Sequence, residues 1–134
     1  MRRREALLAF AAVAVGAGAA CTRDDQPEDP VWGKQPCAHC AMLVSERRFA
    51  AQLVDGGERR YFDDVGCMVL WMDERKAQGA RAWVRQGDGW VVARSARFAP
   101  GARTPMDFGF EAKAEGARGW DEVREQVLAK RGGR

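Results

Sequence analysis

The sequence has only one histidine in 134 residues, and it lacks a strong excess of charge of either sign. A single histidine excludes metal enzymes that hold their ion through several imidazoles. The formal net charge is +3, of which Arg2, Arg3, Arg4 and Glu5 together supply +2. So small a balance over the remainder gives no basic surface for nucleic acid. After the N-terminus, no apolar run reaches the roughly 18 residues that a transmembrane helix needs.

The N-terminus has the layout of a bacterial secretory signal. Three arginines are followed by 15 uncharged small or apolar residues, 6–20, and then by Cys21. A cysteine directly after small residues resembles a lipoprotein signal, in which the thiol receives a lipid and cleavage makes the cysteine the new N-terminus. We therefore predict a signal peptide over residues 1–20 and lipidation at Cys21. Cleavage by the ordinary signal peptidase, which leaves Cys21 free, is the alternative.

The segment after Cys21 is acidic and rich in proline. Residues 22–36 contain four acidic residues and three prolines, and they follow neither helical nor strand periodicity. This composition predicts a disordered, lipid-anchored tether over residues 21–36. The folded domain is then expected over residues 37–134.

The pattern of the folded part predicts an α+β chain. Its order is ββαβ and then ββα, which gives two small ββαβ-like units, the second lacking its last strand. Asp63 and Asp64 are candidate N-caps of the first helix, and Gly79 is its expected end. The predicted strands are 49–54, 59–62, 82–84, 90–93 and 106–112, and the predicted helices are 65–78 and 120–128.

Soft metal ligands are concentrated in the segment Cys37-Ala38-His39-Cys40-Ala41-Met42. Two cysteines separated by two residues can converge on one ion or form one disulfide. A thioether beside thiolates selects Cu(I) over hard cations. Four residues of this segment, two cysteines, one histidine and one methionine, could bind a metal ion. The full set of candidate metal ligands is Cys37, Cys40, Met42, Met106, His39 and Cys67.

The other sulfur-containing residues have competing interpretations. Met68 and Met72 lie four residues apart on an apolar helical face, which favours core packing. Met42 and Met106 are equally consistent with core packing and with metal binding. Cys67 falls in the first turn of the predicted helix, where a thiolate is favoured, although a buried apolar cysteine is the simpler interpretation.

The sequence leaves three alternatives to a copper site. Structural zinc commonly needs four protein ligands, and a site of Cys67, His39 and the two motif cysteines would be cramped. A thioredoxin-like thiol–disulfide oxidoreductase would use Cys37 as the attacking thiolate and Cys40 as its partner, but residues 22–36 do not form the buried strand that precedes such a site. A structural disulfide in an anchored interaction module also fits the spacing. Covalent haem attachment is excluded, because no histidine follows Cys40.

As a set, these motifs resemble the NosL family, accessory lipoproteins of nitrous oxide reductase. The matching features are the lipoprotein-like N-terminus at Cys21, the Cys-x-x-Cys-x-Met motif that ends at Met42, and three further segments. Two positions that commonly hold glycine in the family hold Ala41 and Asp107 here. The three segments are Phe49-Ala50-Ala51-Gln52, Tyr61-Phe62-Asp63-Asp64, and Thr104-Pro105-Met106 followed by Gly109 and Ala112.

The resemblance implies a function that is not enzymatic. It implies a Cu(I) chaperone, anchored by lipid on the periplasmic side of an inner or outer bacterial membrane, which delivers copper for the centres of nitrous oxide reductase. The implied partners are that enzyme and its copper-site maturation transporter. On the family pattern, the implied copper ligands are Cys37, Cys40, Met42 and Met106.

Overall fold

The computed structural model describes residues 25–132. The predicted signal peptide, Cys21 and the start of the predicted tether lie outside the described residues. Two short 3-10 turns, Arg47–Phe49 and Ala93–Ser95, accompany the regular elements. These elements are β1 (Ala51–Asp55), β2 (Glu58–Phe62), α1 (Val65–Glu74), β3 (Arg81–Gln86), β4 (Gly89–Val92), β5 (Phe98–Ala99), β6 (Glu111–Ala112) and α2 (Trp120–Gly132).

The first four strands form one antiparallel sheet in the order β2-β1-β3-β4, and β5 pairs with β6 in a second, two-stranded sheet. The α+β prediction is confirmed, and the first ββαβ unit is observed as β1-β2-α1-β3. β4 extends the sheet of that unit, so the second half consists of β5, β6 and α2. The β1–β2 hairpin turns at Gly56 and Gly57, whose φ values of 57° and 80° both lie in the left-handed region that such a tight turn needs.

Helix α1 packs against β1 and β2 on one face of the four-stranded sheet. The rings of Phe62 and Trp71 meet edge to face, with centroids 6.0 Å apart. Met68 and Met72 are buried in the core, as their spacing predicted. α2 packs against α1. Neither helix in the described part of the chain is both long and apolar enough to cross a bilayer.

The other face of the sheet is covered by residues 25–36, which we call the N-terminal strap. Gln52 of β1 is fully buried and holds the strap through its side chain. This amide accepts a hydrogen bond from the Glu28 N–H at 3.0 Å and donates one to the Glu28 carbonyl at 2.9 Å. The Tyr61 hydroxyl donates to the same carbonyl at 3.0 Å. The side chain of Gln52 thus pairs with the strap backbone much as a neighbouring strand would.

The acidic residues of the strap are paired with arginines of β2 and β3. The predicted tether therefore does not reach residue 36, because the described residues 25–36 lie on the sheet. Local periodicity could not reveal this, since the partners lie far along the chain. The ion pairs are Asp25–Arg81, Glu28–Arg59 and Asp29–Arg85.

Helix α1 ends at Glu74 rather than at residue 78. Lys76 adopts a φ of 52°, and the Ala77 N–H donates to the Met72 carbonyl at 2.8 Å. This is a Schellman arrangement, whose left-handed position usually holds glycine. Because a lysine occupies that position here, Gly79 was the wrong signal for the end of the helix.

The predicted strand over residues 106–112 is reduced to the two residues of β6. The backbone N–H of Met106 donates to the Asp64 side chain at 3.0 Å and not to a neighbouring strand. Phe110 is buried and Phe108 partly buried. The alternation of apolar residues therefore reflects a loop that packs two aromatic rings against the body of the protein.

We expect Gln52→Leu to lower the free energy of unfolding by about 2 kcal/mol, because it leaves the Glu28 N–H without its acceptor. Urea denaturation measures this change. Gln78→Leu is the matched control, because Gln78 is exposed and its replacement should stay within about 0.5 kcal/mol. Equal stabilities for the two variants would contradict the role of Gln52 in holding the strap.

Candidate metal centre

The first half of the candidate site is a closed loop, residues 37–42. The Cys37 N–H donates to the Met42 carbonyl at 2.7 Å, which joins the two ends of the loop. The Ala38 N–H donates to the Tyr61 carbonyl at 2.8 Å, which fixes the loop against the end of β2. The loop therefore lies beside the residues that follow β2 in the chain.

The second half is the junction between β2 and α1. Asp64 has an extended backbone and caps α1 by accepting a hydrogen bond from the Gly66 N–H at 2.9 Å. Because the helix begins at Val65, Cys67 falls in its first turn, as predicted. Asp63 and Cys67 are both buried, with 2% and 0% exposure.

The two halves bring together a set of four ligand atoms, which we call the Cys3Asp cluster. It comprises one sulfur atom each from Cys37, Cys40 and Cys67 and a carboxylate oxygen of Asp63, all within 4.8 Å of one another. The Cys40 thiol donates to Asp63 Oδ1 at 3.3 Å. All three cysteines are free thiols. Four such atoms at this spacing can hold a metal ion.

The three thiols of the cluster differ in acidity. A hydrogen bond from the Cys67 side chain, aided by backbone N–H groups, lowers the pKa of Cys37 to about 6 despite its burial. Burial is the main cause that raises the pKa of Cys40 to about 12. The hydrogen bond to Cys37, burial and the nearby charge of Cys37 raise the pKa of Cys67. Cys37 is therefore the most acidic thiol of the cluster, and Cys40 and Cys67 hold their protons more strongly.

One carboxylate oxygen of the cluster lacks a hydrogen-bond partner. Asp63 Oδ2 is buried and is not hydrogen-bonded within the part of the chain that the structure describes. A buried polar atom without a partner costs free energy. A cation bound among the sulfur atoms would satisfy this oxygen, so the donor set fits a metal ion in charge as well as in spacing.

His39 lies outside the Cys3Asp cluster, although it stands between two of its cysteines in sequence. Its Nε2 atom lies 3.4 Å from Oε1 of Glu74, at the C-terminal end of α1. The other ring nitrogen, Nδ1, is buried without a hydrogen-bond partner among the described residues. The imidazole is thus not one of the four grouped ligands, and its role as a metal ligand stays a prediction.

Met42 and Met106 are attached to the two halves of the site through their backbones. Met42 closes the 37–42 loop, and the Met106 N–H donates to the side chain of Asp64, the neighbour of Asp63. Their side chains are 49% and 37% exposed. Met68, in contrast, is fully buried in the core. Their role as ligands stays a prediction.

Two residues near the site have a left-handed backbone. Ala41 has a φ of 65° and Asp107 a φ of 60°. Glycine adopts this conformation without steric cost. The side chains of Ala41 and Asp107 therefore add strain to the backbone at these two positions.

Sequence reasoning missed Asp63 as a site residue, because it was considered only as a helix cap. Its neighbour Asp64 is the actual cap. The only available signal was the pair of aspartates between a strand and a helix that carries a cysteine. One aspartate suffices for the cap, which leaves the other available for a different role.

Comparison with known protein families and with curated proteins finds no match to this chain. The likeness to the NosL family accordingly stands on the quoted motifs.

The pH dependence of thiolate formation tests the assignment of charge in the cluster. Ultraviolet thiolate absorbance of the reduced apoprotein should show a step near pH 6 that is lost in Cys37→Ser. In Cys67→Ala this step should move to higher pH, because the side-chain hydrogen bond to Cys37 is removed. Folding lowers the pKa of the Cys37 thiol, so its ionisation stabilises the folded state. This stabilisation is complete above the unfolded pKa of about 8.5 and is lost as the pH falls through about 6. Absence of any step below pH 7 would refute the assignment.

Ala41→Gly should raise the free energy of unfolding by about 0.5 kcal/mol. Relief of left-handed strain, about 1–2 kcal/mol, exceeds the entropic cost of a glycine, about 0.5–1 kcal/mol. Ala38→Gly is the control in the same loop, because Ala38 is exposed and has no positive φ. It should destabilise by a similar amount, so thermal unfolding should give opposite signs for the two variants. Destabilisation by both would contradict the strain at Ala41.

Proposed function

We propose that this protein is a carrier of Cu(I). The observation that supports the proposal is the Cys3Asp cluster, in which three free thiols from two separate parts of the chain lie within 4.8 Å of one another. Thiolate sulfur is the ligand type that favours Cu(I) most strongly over hard cations. With Met42 and Met106 as further ligands, the site would be rich in sulfur and accessible from the surface.

The position of the cluster suits transfer of an ion better than storage. Cys40 is partly exposed, whereas Cys37 and Cys67 are buried. Cu(I) accepts low coordination numbers, so a partner can replace the exposed ligands one at a time. Thioether ligands at the surface would also survive conditions that oxidise thiols to disulfides.

The arrangement disfavours the thioredoxin-like alternative. In such enzymes an acidic thiol lies accessible at the start of a helix. Here the acidic thiol, Cys37, is 3% exposed, and the accessible Cys40 has a pKa raised to about 12. Residues 38–40 form turns rather than the first turn of a helix. The more reactive sulfur is thus the less accessible one.

The place and the partners of the carrier are proposed from the resemblance to the NosL family. They comprise a lipid on Cys21, the periplasmic side of a bacterial membrane, and delivery of Cu(I) to nitrous oxide reductase and its copper-site maturation transporter. Within this chain, the support is the order of the motifs that ends at Met106 and the closeness of the cysteines that they contain.

One observation favours a second candidate, a structural divalent metal site. Asp63 adds a hard oxygen ligand to three sulfur ligands, and four side-chain ligands of this kind suit tetrahedral Zn(II). Such an ion would stabilise the fold and would not be released to a partner. The two candidates therefore differ in metal preference and in exchange rate.

Anaerobic titration of the reduced protein against a Cu(I) chelator tests the proposal. Replacement of both Cys37 and Cys40 by serine should weaken Cu(I) binding by at least about 100-fold, since loss of an outer-shell group alone costs roughly 10–100-fold. Met68→Leu is the matched control, because Met68 is buried in the core and Cu(I) affinity should not change. Parallel titration with Zn(II) decides between the candidates. Tight Zn(II) binding that outcompetes Cu(I), or Cu(I) binding unaffected by the serine variant, would reject the copper carrier.

A further inference from the structure

The carboxylate of Asp64 serves two parts of the chain at once. Its Oδ1 atom accepts a hydrogen bond from the Gly66 N–H at 2.9 Å, and its Oδ2 atom accepts one from the Met106 N–H at 3.0 Å. The side chain is fully buried. The first bond caps α1, whereas the second reaches a loop that follows 42 residues later in the chain.

A helix cap alone does not require this carboxylate. One side-chain oxygen satisfies the helix N-terminus, and serine or asparagine provides it equally well. The second oxygen of Asp64 is what connects the helix to the loop. The two N–H groups reach different oxygens of the carboxylate, so in this geometry a side chain with a single acceptor oxygen loses one of the two bonds.

Asp64 also lies between two residues of the Cys3Asp cluster in the sequence, Asp63 and Cys67. Asp63, its neighbour, contributes a carboxylate to the cluster. The Asp64 carbonyl accepts a hydrogen bond from the Cys67 N–H at 3.0 Å. The bond to Met106 therefore joins the loop to the chain segment that carries two of the four cluster residues.

The same loop meets α1 at a second point. Phe108 lies against Gly66, where a side-chain carbon on the glycine would come within 2.1 Å of the ring. The absence of a side chain at Gly66 thus allows the loop to pack on the first turn of the helix. Gly109 donates to the Thr104 hydroxyl at 3.0 Å, which closes the loop on itself.

We propose that Asp64 is a positioning residue that holds Met106 beside the Cys3Asp cluster, so that the thioether can join the thiolates on the ion. This inference rests on the proposed Cu(I) carrier and assigns to Asp64 a role beyond helix capping. The hydrogen bond anchors the backbone of Met106 to the residue next to Asp63 of the cluster, which restricts where the thioether can lie.

A double-mutant cycle in the reduced full chain tests the proposal. Asp64→Ser keeps an oxygen for the helix cap but has no second acceptor for the Met106 N–H. We expect Asp64→Ser and Met106→Leu each to weaken Cu(I) binding about 10-fold. Because both act through one thioether, the double variant should be no weaker than either single variant. Additive losses, or no loss in Asp64→Ser, would overturn the positioning role.

Two further measurements separate positioning from a loss of stability. Val69→Ala is the control, because it leaves a cavity in the buried face of α1 and should leave Cu(I) affinity unchanged. In apoprotein labelled at the methionine methyl groups, the Met106 signal should move towards its unfolded position in Asp64→Ser but not in Val69→Ala. An unmoved Met106 signal would overturn the inference without any use of copper. Failure of the wild-type chain to bind Cu(I) would instead remove the proposed function itself.

Discussion

A buried group of three sulfur atoms and one carboxylate cannot carry several negative charges without a cation. Like charges within 4.8 Å raise one another's pKa, and burial adds to this effect. The cluster meets this constraint by sharing protons: Cys67 donates to the Cys37 thiolate, and Cys40 donates to Asp63. A metal ion bound here would replace those protons, so its binding would release them and would weaken as the pH falls. The protonation of the thiols and the affinity of the cluster for a metal ion would thus be two aspects of one electrostatic balance.

The fold is arranged to bring two distant segments to this place. The backbone bond from Ala38 to Tyr61 holds the 37–42 loop against β2, and the helix cap at Asp64 sets the position of Cys67. The strap stabilises the same strands from the opposite face through Gln52. Because the buried amide holds the strap on β1 and Tyr61 holds it on β2, the strand that supports the loop is fixed on both of its faces.

The sequence predicted those features that depend on neighbouring residues. The β1–β2 hairpin, the start of α1 and the core positions of Met68 and Met72 follow from turn chemistry, capping and helical spacing. Features that depend on distant partners escaped it. The acidic strap seemed unstructured because the arginines that pair with it lie on the sheet. The segment after Met106 had the alternation of a strand, although its N–H groups donate elsewhere. Spacing alone suggested the CxxC pair, but the closeness of Cys67 and Asp63 required the folded chain.

The two consecutive aspartates show how one short segment can have two separate tasks. The two residues lie at the bend between β2 and α1, where Asp64 has an extended backbone with φ of −142° and ψ of 138°. The Asp63 carboxylate meets the sulfur atoms, while the Asp64 carboxylate accepts hydrogen bonds from the helix start and from the loop of Met106. A shift by one residue would exchange these two sets of partners. The strand before them fixes the register, because the pairing of Phe62 with Ala51 leaves no freedom at the end of β2. The geometry of the candidate metal centre thus depends on the register of an ordinary hairpin.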